Sequence, residues 1–189
     1  MTLYEIVLFL HVMGAIGLFM GVAIVLTAMA RMRRSESVAQ VREWSGLADL
    51  SDKLLPVASL VLLLSGIYMA TDFEFWGDGW VDVSMALLLV MIVLGPAVNA
   101  RRLGTISREA KDAPDGPVQG ALRARILDPV LWTTVQTMSV VAVGIVFLMT
   151  VKPGIAGSLV TLVVALALGL ASSIPAWRRA AAVRAPAGG

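Results

Sequence analysis

The chain has 189 residues, of which 58% are hydrophobic and only 15% are charged, and its formal net charge is +2. An ordinary soluble domain is about 45–50% apolar and about 25% charged, so the excess apolar surface excludes a soluble globular fold and requires contact with lipid. The absence of cysteine and the presence of one histidine exclude disulfides, iron–sulfur clusters, a cysteine nucleophile and metal sites built from several histidines.

Five apolar segments are long enough to cross a membrane as helices, since about 20 residues span roughly 30 Å of hydrocarbon. In chain order they are residues 4–30, 54–70, 81–98, 129–151 and 155–177. Backbone amides find no partner in lipid, and alternating ten-residue strands are not visible, so helices are expected and a β-barrel is not. The sequence predicts an all-α, polytopic membrane protein, in which a single domain forms a bundle of five transmembrane helices.

The basic residues are distributed unequally between the connecting segments. Five lie in residues 31–53, six in residues 99–128 and three in the tail (Arg178, Arg179 and Arg184), whereas Lys152 is the single base on the other side. Lysine and arginine collect on the cytoplasmic side of membrane proteins. We therefore expect residues 31–53 and 99–128 to be cytoplasmic loops, the N-terminus to lie outside and the C-terminus inside. The basic patches are expected to set topology and to contact the lipid bilayer, and no nucleic-acid partner is expected.

The connecting segments also carry local patterns. Residues 35–51 have helical apolar spacing around Trp44, which predicts a short amphipathic helix on the inner leaflet. Asp52 and Pro56 are expected to begin the second span. Pro96 predicts a kink in the third span. The aromatic residues of the segment 71–80 suggest an anchor at the membrane interface, or else a lid over a ligand.

A single histidine, His11, lies within the first span, where an ionisable side chain is a candidate functional group. Gly14, Gly17 and Gly21 follow it, and the last two form a GxxxG pattern that allows the backbone of another helix to approach closely. We predict these three glycines to be helix-packing residues. They also offer a face through which the chain could meet a second copy or a membrane partner.

Three interpretations of His11 remain open from the sequence. In the first, a neutral imidazole forms a structural hydrogen bond across helices to Ser65, to Tyr68 or to a backbone carbonyl. In the second it is an axial ligand of haem b, and in the third it is a copper ligand, because imidazole suits both metals.

Several methionines occur at a depth similar to that of His11, and a thioether suits Cu(I). Methionine is also a common filler of helix contacts. The residues predicted for cofactor binding are His11, Met69, Met85 and Met149, and those predicted for a metal are His11 and Met13.

The fourth span has a polar face that includes Thr133, Gln136 and Thr137, which suggests hydrogen bonding between helices or a substrate pathway. No P-loop, nucleophile elbow or zinc-protease motif is present, and the interiors of the spans contain no aspartate, glutamate, lysine or arginine. We therefore predict no catalytic residue and lean towards a protein that is not an enzyme.

Residues 8–15, with the sequence LFLHVMGA, precede the GxxxG pattern, a basic segment and LSGIYM at residues 64–69. Together they resemble the bacterial integral membrane proteins of domain-of-unknown-function family 2269. The resemblance covers about residues 2–103 and implies a protein of the bacterial cytoplasmic membrane. The first helix is more distantly similar to CopD-like copper-resistance proteins and to HemJ-type protoporphyrinogen oxidases, in which a histidine at this point is implicated in haem or metal binding. That role carries over to His11 alone.

The sequence therefore predicts a structural or accessory helical bundle, acting with a membrane partner or as a homo-oligomer. The alternative is a redox or transport protein that binds haem b or copper through His11.

Overall fold

The computed structural model describes the backbone of residues 2–184 and the side chains of residues 2–178, so the side chains of Arg179 and Arg184 in the basic tail lie outside the described part. Within it, the chain forms seven α-helices and one π-helical segment. They are α1 (Leu3–Arg34), α2 (Val38–Asp72), α3 (Gly79–Leu94), the π-helical segment (Gly95–Ala100), α4 (Arg101–Asp112), α5 (Gly120–Ile126), α6 (Pro129–Val151) and α7 (Ile155–Arg184).

Five helical stretches in the described residues are long and apolar enough to cross a membrane, with mean hydropathy between 2.0 and 2.3. They are α1, α2, α3 with its continuation into α4, α5 with α6, and α7 up to Arg178. Large apolar side chains remain exposed along them, for example Val163 at 64%, because lipid rather than protein covers these faces. The predicted all-α membrane fold is confirmed.

The predicted boundaries of the last two spans agree well with the helices. The helix α6 covers the same residues as the predicted fourth span, because Asp128 caps its first turn and Pro129 occupies N1. The chain then reverses at Lys152, which has a left-handed φ of 52°. The helix α7 begins at Ile155 as predicted, but it contains Pro175 and continues past the predicted end at residue 177 to Arg184.

The second span differs from the prediction. Residues 38–72 form one continuous helix that is capped by Ser37, so Asp52 is not a cap and Pro56 lies inside the helix. The amphipathic segment does not lie flat on a leaflet. Its apolar stripe, which includes Val41 and Ala48, is buried in a protein core together with residues of α4. A helix on the membrane surface and a helix packed on a small protein core both have such an apolar stripe, so the sequence alone does not distinguish them.

The segment 99–128 is largely helical and forms a cap with the ends of α1 and α2. Its core joins buried residues of five helices, among them Met32, Leu103 and Ile126. The non-helical connection is held by a bridge between Ser37 and Pro117. We call this the C-terminal end of the bundle. Its side of the membrane remains a prediction.

The third span shows a π-helical segment at Gly95–Ala100 where a kink was expected at Pro96. A π-helical segment widens the turn and re-aims the following side chains. Here Asn99 points at α6, where Thr134 donates a hydrogen bond to its side-chain oxygen over 2.6 Å.

The opposite, N-terminal end of the bundle carries the aromatic residues of the connection between α2 and α3. Phe73 packs edge-on against Tyr4, and Phe75 stacks on Phe73. Lys152 lies over the ring of Trp80, 5.1 Å from its centroid. These contacts tie α1, α3 and α6 together at this end.

Two hairpins, α1 with α2 and α6 with α7, form the closest helix pairs, and α3 lies between them. A small core of Leu18, Ala58, Leu62, Leu88 and Ala142 connects α1, α2, α3 and α6. The candidate site lies beside this core, because Leu18, Leu62, Leu88 and Ala142 also border its cavity.

Candidate functional site

His11 faces α2 in the half of α1 nearest the N-terminal end. Its Nδ1 lies 2.9 Å from Oγ of Ser65, which is one of the partners expected from the sequence. The Ser65 hydroxyl also lies 2.5 Å from the carbonyl oxygen of Val61. The carbonyl of Leu62 approaches the same hydroxyl at 3.2 Å. His11 therefore joins α1 to α2 through a serine that is itself tied to its own helix.

These contacts favour the tautomer of the His11 imidazole that carries its proton on Nδ1. A serine hydroxyl has one hydrogen, and a carbonyl oxygen can only accept, so the proton of Ser65 is committed to the backbone of α2. With the Ser65 proton on the backbone, Ser65 accepts a hydrogen bond from Nδ1–H of His11. In this tautomer Nε2 keeps its lone pair. A histidine whose Nδ1–H is anchored in this way presents Nε2 as an acceptor or a metal ligand.

A cavity of about 680 Å³ borders His11. Its walls come from α1, α2, α3 and α6, and nearly all its lining is apolar. Two of the methionines predicted for cofactor binding, Met85 and Met149, border the same cavity. Met20 borders the cavity as well, and the sequence does not predict it, because its depth differs from that of His11.

Gly66 provides the space beside the imidazole. A Cβ atom placed at Gly66 would lie 3.5 Å from Cε1 of His11 and 3.8 Å from the methyl carbon of Met85. Met85 therefore packs on the same side of the cavity as His11, whereas Met149 approaches from α6. The pair Ser65-Gly66 belongs to the LSGIYM segment, so the sequence contained a signal for this contact.

Ser84 is a second polar group at the cavity, and no sequence pattern predicts it. It borders the cavity from α3, and its side chain is 1% exposed. Its hydroxyl has no hydrogen-bond partner among the residues whose side chains are described. An unpaired buried hydroxyl is costly. A ligand whose polar group formed a hydrogen bond with Ser84 would therefore bind favourably in the cavity. A lone serine in an apolar span gives no signal in the sequence.

The structure does not bring the other two methionines to this cavity. Met13 is 46% exposed and does not border it. The reason is that positions two apart on a helix lie about 200° apart around its axis. Met69 lies at a suitable depth but does not border the cavity either. Similar depth does not imply the same direction around a helix.

The three predicted packing glycines lie where α1 crosses α2. A Cβ at Gly14 would approach Leu62 to 3.1 Å, and one at Gly17 would approach Ala58 to 3.3 Å. One at Gly21 would lie 2.6 Å from Leu55. The face on which we expected a second chain is therefore occupied by α2 of the same chain.

The polar face of α6 takes part in helix packing at several positions. Thr133 accepts a hydrogen bond of 2.8 Å from the indole N–H of Trp177, and Thr134 bonds to Asn99.

Phe73, Phe75 and Trp80 of the aromatic connection do not border the His11 cavity. Within the described residues there is no group of three or more histidine, aspartate or glutamate side chains able to hold a metal ion.

Comparison with known proteins identifies the family of the chain. The family described as predicted integral membrane protein, DUF2269, matches residues 5–153. The match covers most of the chain and includes His11, Ser65, Ser84 and Met149. No curated protein and no solved structure matches the chain. The protein therefore belongs to the DUF2269 family of integral membrane proteins.

Proposed function

We propose that this protein is an accessory bundle of the bacterial cytoplasmic membrane, not an enzyme, and that it binds haem b in the His11 cavity. The observation that carries the proposal is the imidazole of His11, whose Nδ1–H is held by Ser65 at the border of a large apolar cavity. A structural hydrogen bond alone would require the bond to Ser65 but not the cavity.

The residues around the cavity fit a haem group. The apolar walls would hold the porphyrin, and Nε2 of His11 would bind the iron. Met149 borders the cavity from a different helix, so we propose its thioether as the second ligand, since Met85 lies beside the imidazole. Haem supplies one-electron chemistry, and the chain holds and orients it.

Copper is a second candidate, and the proximity of Met85 to His11 is the observation that favours it. The methyl carbon of Met85 and Cε1 of His11 both lie within 4 Å of the same position beside Gly66. Imidazole and thioether ligands together suit Cu(I).

A partner or a second copy of the chain would have to dock on the lipid-facing surface, because α2 covers the glycine face.

Haem binding is tested on the full chain purified in detergent and reconstituted in lipid nanodiscs. We expect a Soret band in the purified protein, or one that grows to one equivalent on titration with haemin, together with bound iron. Measurement of copper in the same sample tests the second candidate. A colourless protein that binds neither haemin nor copper would contradict both and leave only an accessory role.

The sidedness of the bundle is tested by reporter fusions at Gly77 and Pro114, which lie in connections at opposite ends. We expect a phosphatase fused at Gly77 to be active outside the cell, and one fused at Pro114 to be inactive, because the basic residues collect at the C-terminal end. Activity at Pro114 combined with inactivity at Gly77 would invert the proposed orientation.

A further inference from the structure

A second cavity lies at the C-terminal end of the bundle, far from His11 along the spans. Its volume is about 410 Å³, and it is formed by the π-helical segment, α4 and the residues around the start of α6. Three guanidinium groups line it, those of Arg101, Arg102 and Arg125. No other cavity described here brings several cationic side chains together.

The charges in this cavity do not cancel. Arg102 forms an ion pair with Asp128, and Nε of Arg125 donates to Glu109 over 2.7 Å. Arg101 forms no ion pair with any described side chain, and it is exposed. Asp128 lines the cavity and Glu109 pairs with Arg125 from outside the lining, so one of the three positive charges has no ion-pair partner. Arg125 also keeps guanidinium N–H groups that its ion pair does not use.

The position of the cavity relates it to the lipid-facing surface. Leu89, Val90, Val93 and Leu94 form an exposed apolar strip on α3, and this strip runs directly into the π-helical segment that lines the cavity. Ala97 and Val98 form the apolar part of the cavity wall where the strip ends. A molecule with an acyl chain on the strip would place its polar head beside the three arginines.

We propose that this cavity binds the phosphate headgroup of an anionic phospholipid whose acyl chain lies along α3. A phosphodiester with one negative charge matches the one uncompensated positive charge, and guanidinium groups suit phosphate oxygens. Basic pockets between membrane helices bind such headgroups in general. The site is independent of the His11 cavity, and it goes beyond the proposed haem binding.

The test compares lipid binding to the full chain by native mass spectrometry, with equal amounts of phosphatidylglycerol and phosphatidylcholine. We expect the wild-type chain to retain phosphatidylglycerol preferentially. Arg101→Gln should weaken that binding about fivefold. Arg34→Gln is the matched control, since Arg34 is exposed at the same end but does not line the cavity. It should change binding by less than about twofold.

Three results would overturn the proposal. Equal weakening by Arg101→Gln and Arg34→Gln would indicate diffuse surface charge and not a site. Equal retention of the two lipids would show that the headgroup is not recognised. Displacement of phosphatidylglycerol by excess inorganic phosphate, without any dependence on acyl chains, would assign the cavity to a soluble phosphate compound.

Two controls complete the test. Arg101→Lys keeps the positive charge and should retain the preference for phosphatidylglycerol. Helix content measured by circular dichroism verifies that each variant is folded.

Discussion

Replacement of His11 with alanine is expected to abolish the Soret band and to weaken haemin binding by more than about 100-fold. His11 is the only histidine, so no other imidazole can replace it. Loss of a partner that merely orients a ligand typically costs 10–100-fold in metal affinity, and loss of the ligand itself should cost more. Haemin titration of nanodisc samples measures the effect. Met13→Leu is the matched control, because Met13 lies two residues away on α1 but does not border the cavity.

Ser65→Ala separates the ligand role of His11 from a structural role. It removes the acceptor of Nδ1–H and leaves the cavity lining unchanged, because Ser65 does not border the cavity. Haem affinity should fall about 10–100-fold, between the wild type and His11→Ala. A structural role alone predicts only a stability loss of about 0.5–1.5 kcal/mol in both variants. Unchanged haemin binding in His11→Ala would contradict the proposed ligand.

Gly79→Ala is expected to lower the stability of the bundle strongly. Gly79 begins α3, where it packs against the first residue of α7. A Cβ there would lie 2.4 Å from Cα and 2.6 Å from the backbone nitrogen of Ile155, and backbone atoms cannot move aside as a side chain can. Overpacking of this kind costs about 1–3 kcal/mol. Thermal unfolding in detergent measures it.

Gly104→Ala provides the control for this substitution. Gly104 lies inside α4, and a Cβ there meets no atom within 4 Å. Alanine at a helix-interior position is favoured over glycine by roughly 0.5–1 kcal/mol, so this variant should be unchanged or slightly more stable. Equal unfolding temperatures for Gly79→Ala and the wild type would show that α3 and α7 do not meet at Gly79 as described.

Much of the fold could be predicted from the sequence because lipid leaves the backbone few alternatives. The predicted fourth span, residues 129–151, has the bounds of α6 because Asp128 caps the first turn and the chain reverses at Lys152. The continuity of α2 could not be predicted. The stripe around Val41 suits a lipid interface as well as a protein core, and the core exists only because α4 and α5 fold back over it.

The site was predictable only in part, for a related reason. A buried imidazole needs a hydrogen-bond partner, so Ser65 followed from the chemistry of His11. The methionines were predicted from their depth in the membrane. A position on a helix also has a direction around the helix axis, and depth does not give that direction. Met85 and Met149 have the right direction, whereas Met13 and Met69 do not border the cavity. Ser84 became visible only once the packing of α3 was known.

The most direct test of the account is the protonation of the ring of His11. Because the chain has one histidine, labelling with ¹⁵N-histidine gives the signals of a single imidazole in nitrogen NMR spectra of the nanodisc sample. We expect Nδ1 to carry the proton, Nε2 to be unprotonated, and the Nε2 signal to be perturbed more strongly than the Nδ1 signal when haemin is added. A proton on Nε2, with Ser65 donating to Nδ1, would remove the free lone pair and contradict the proposed site.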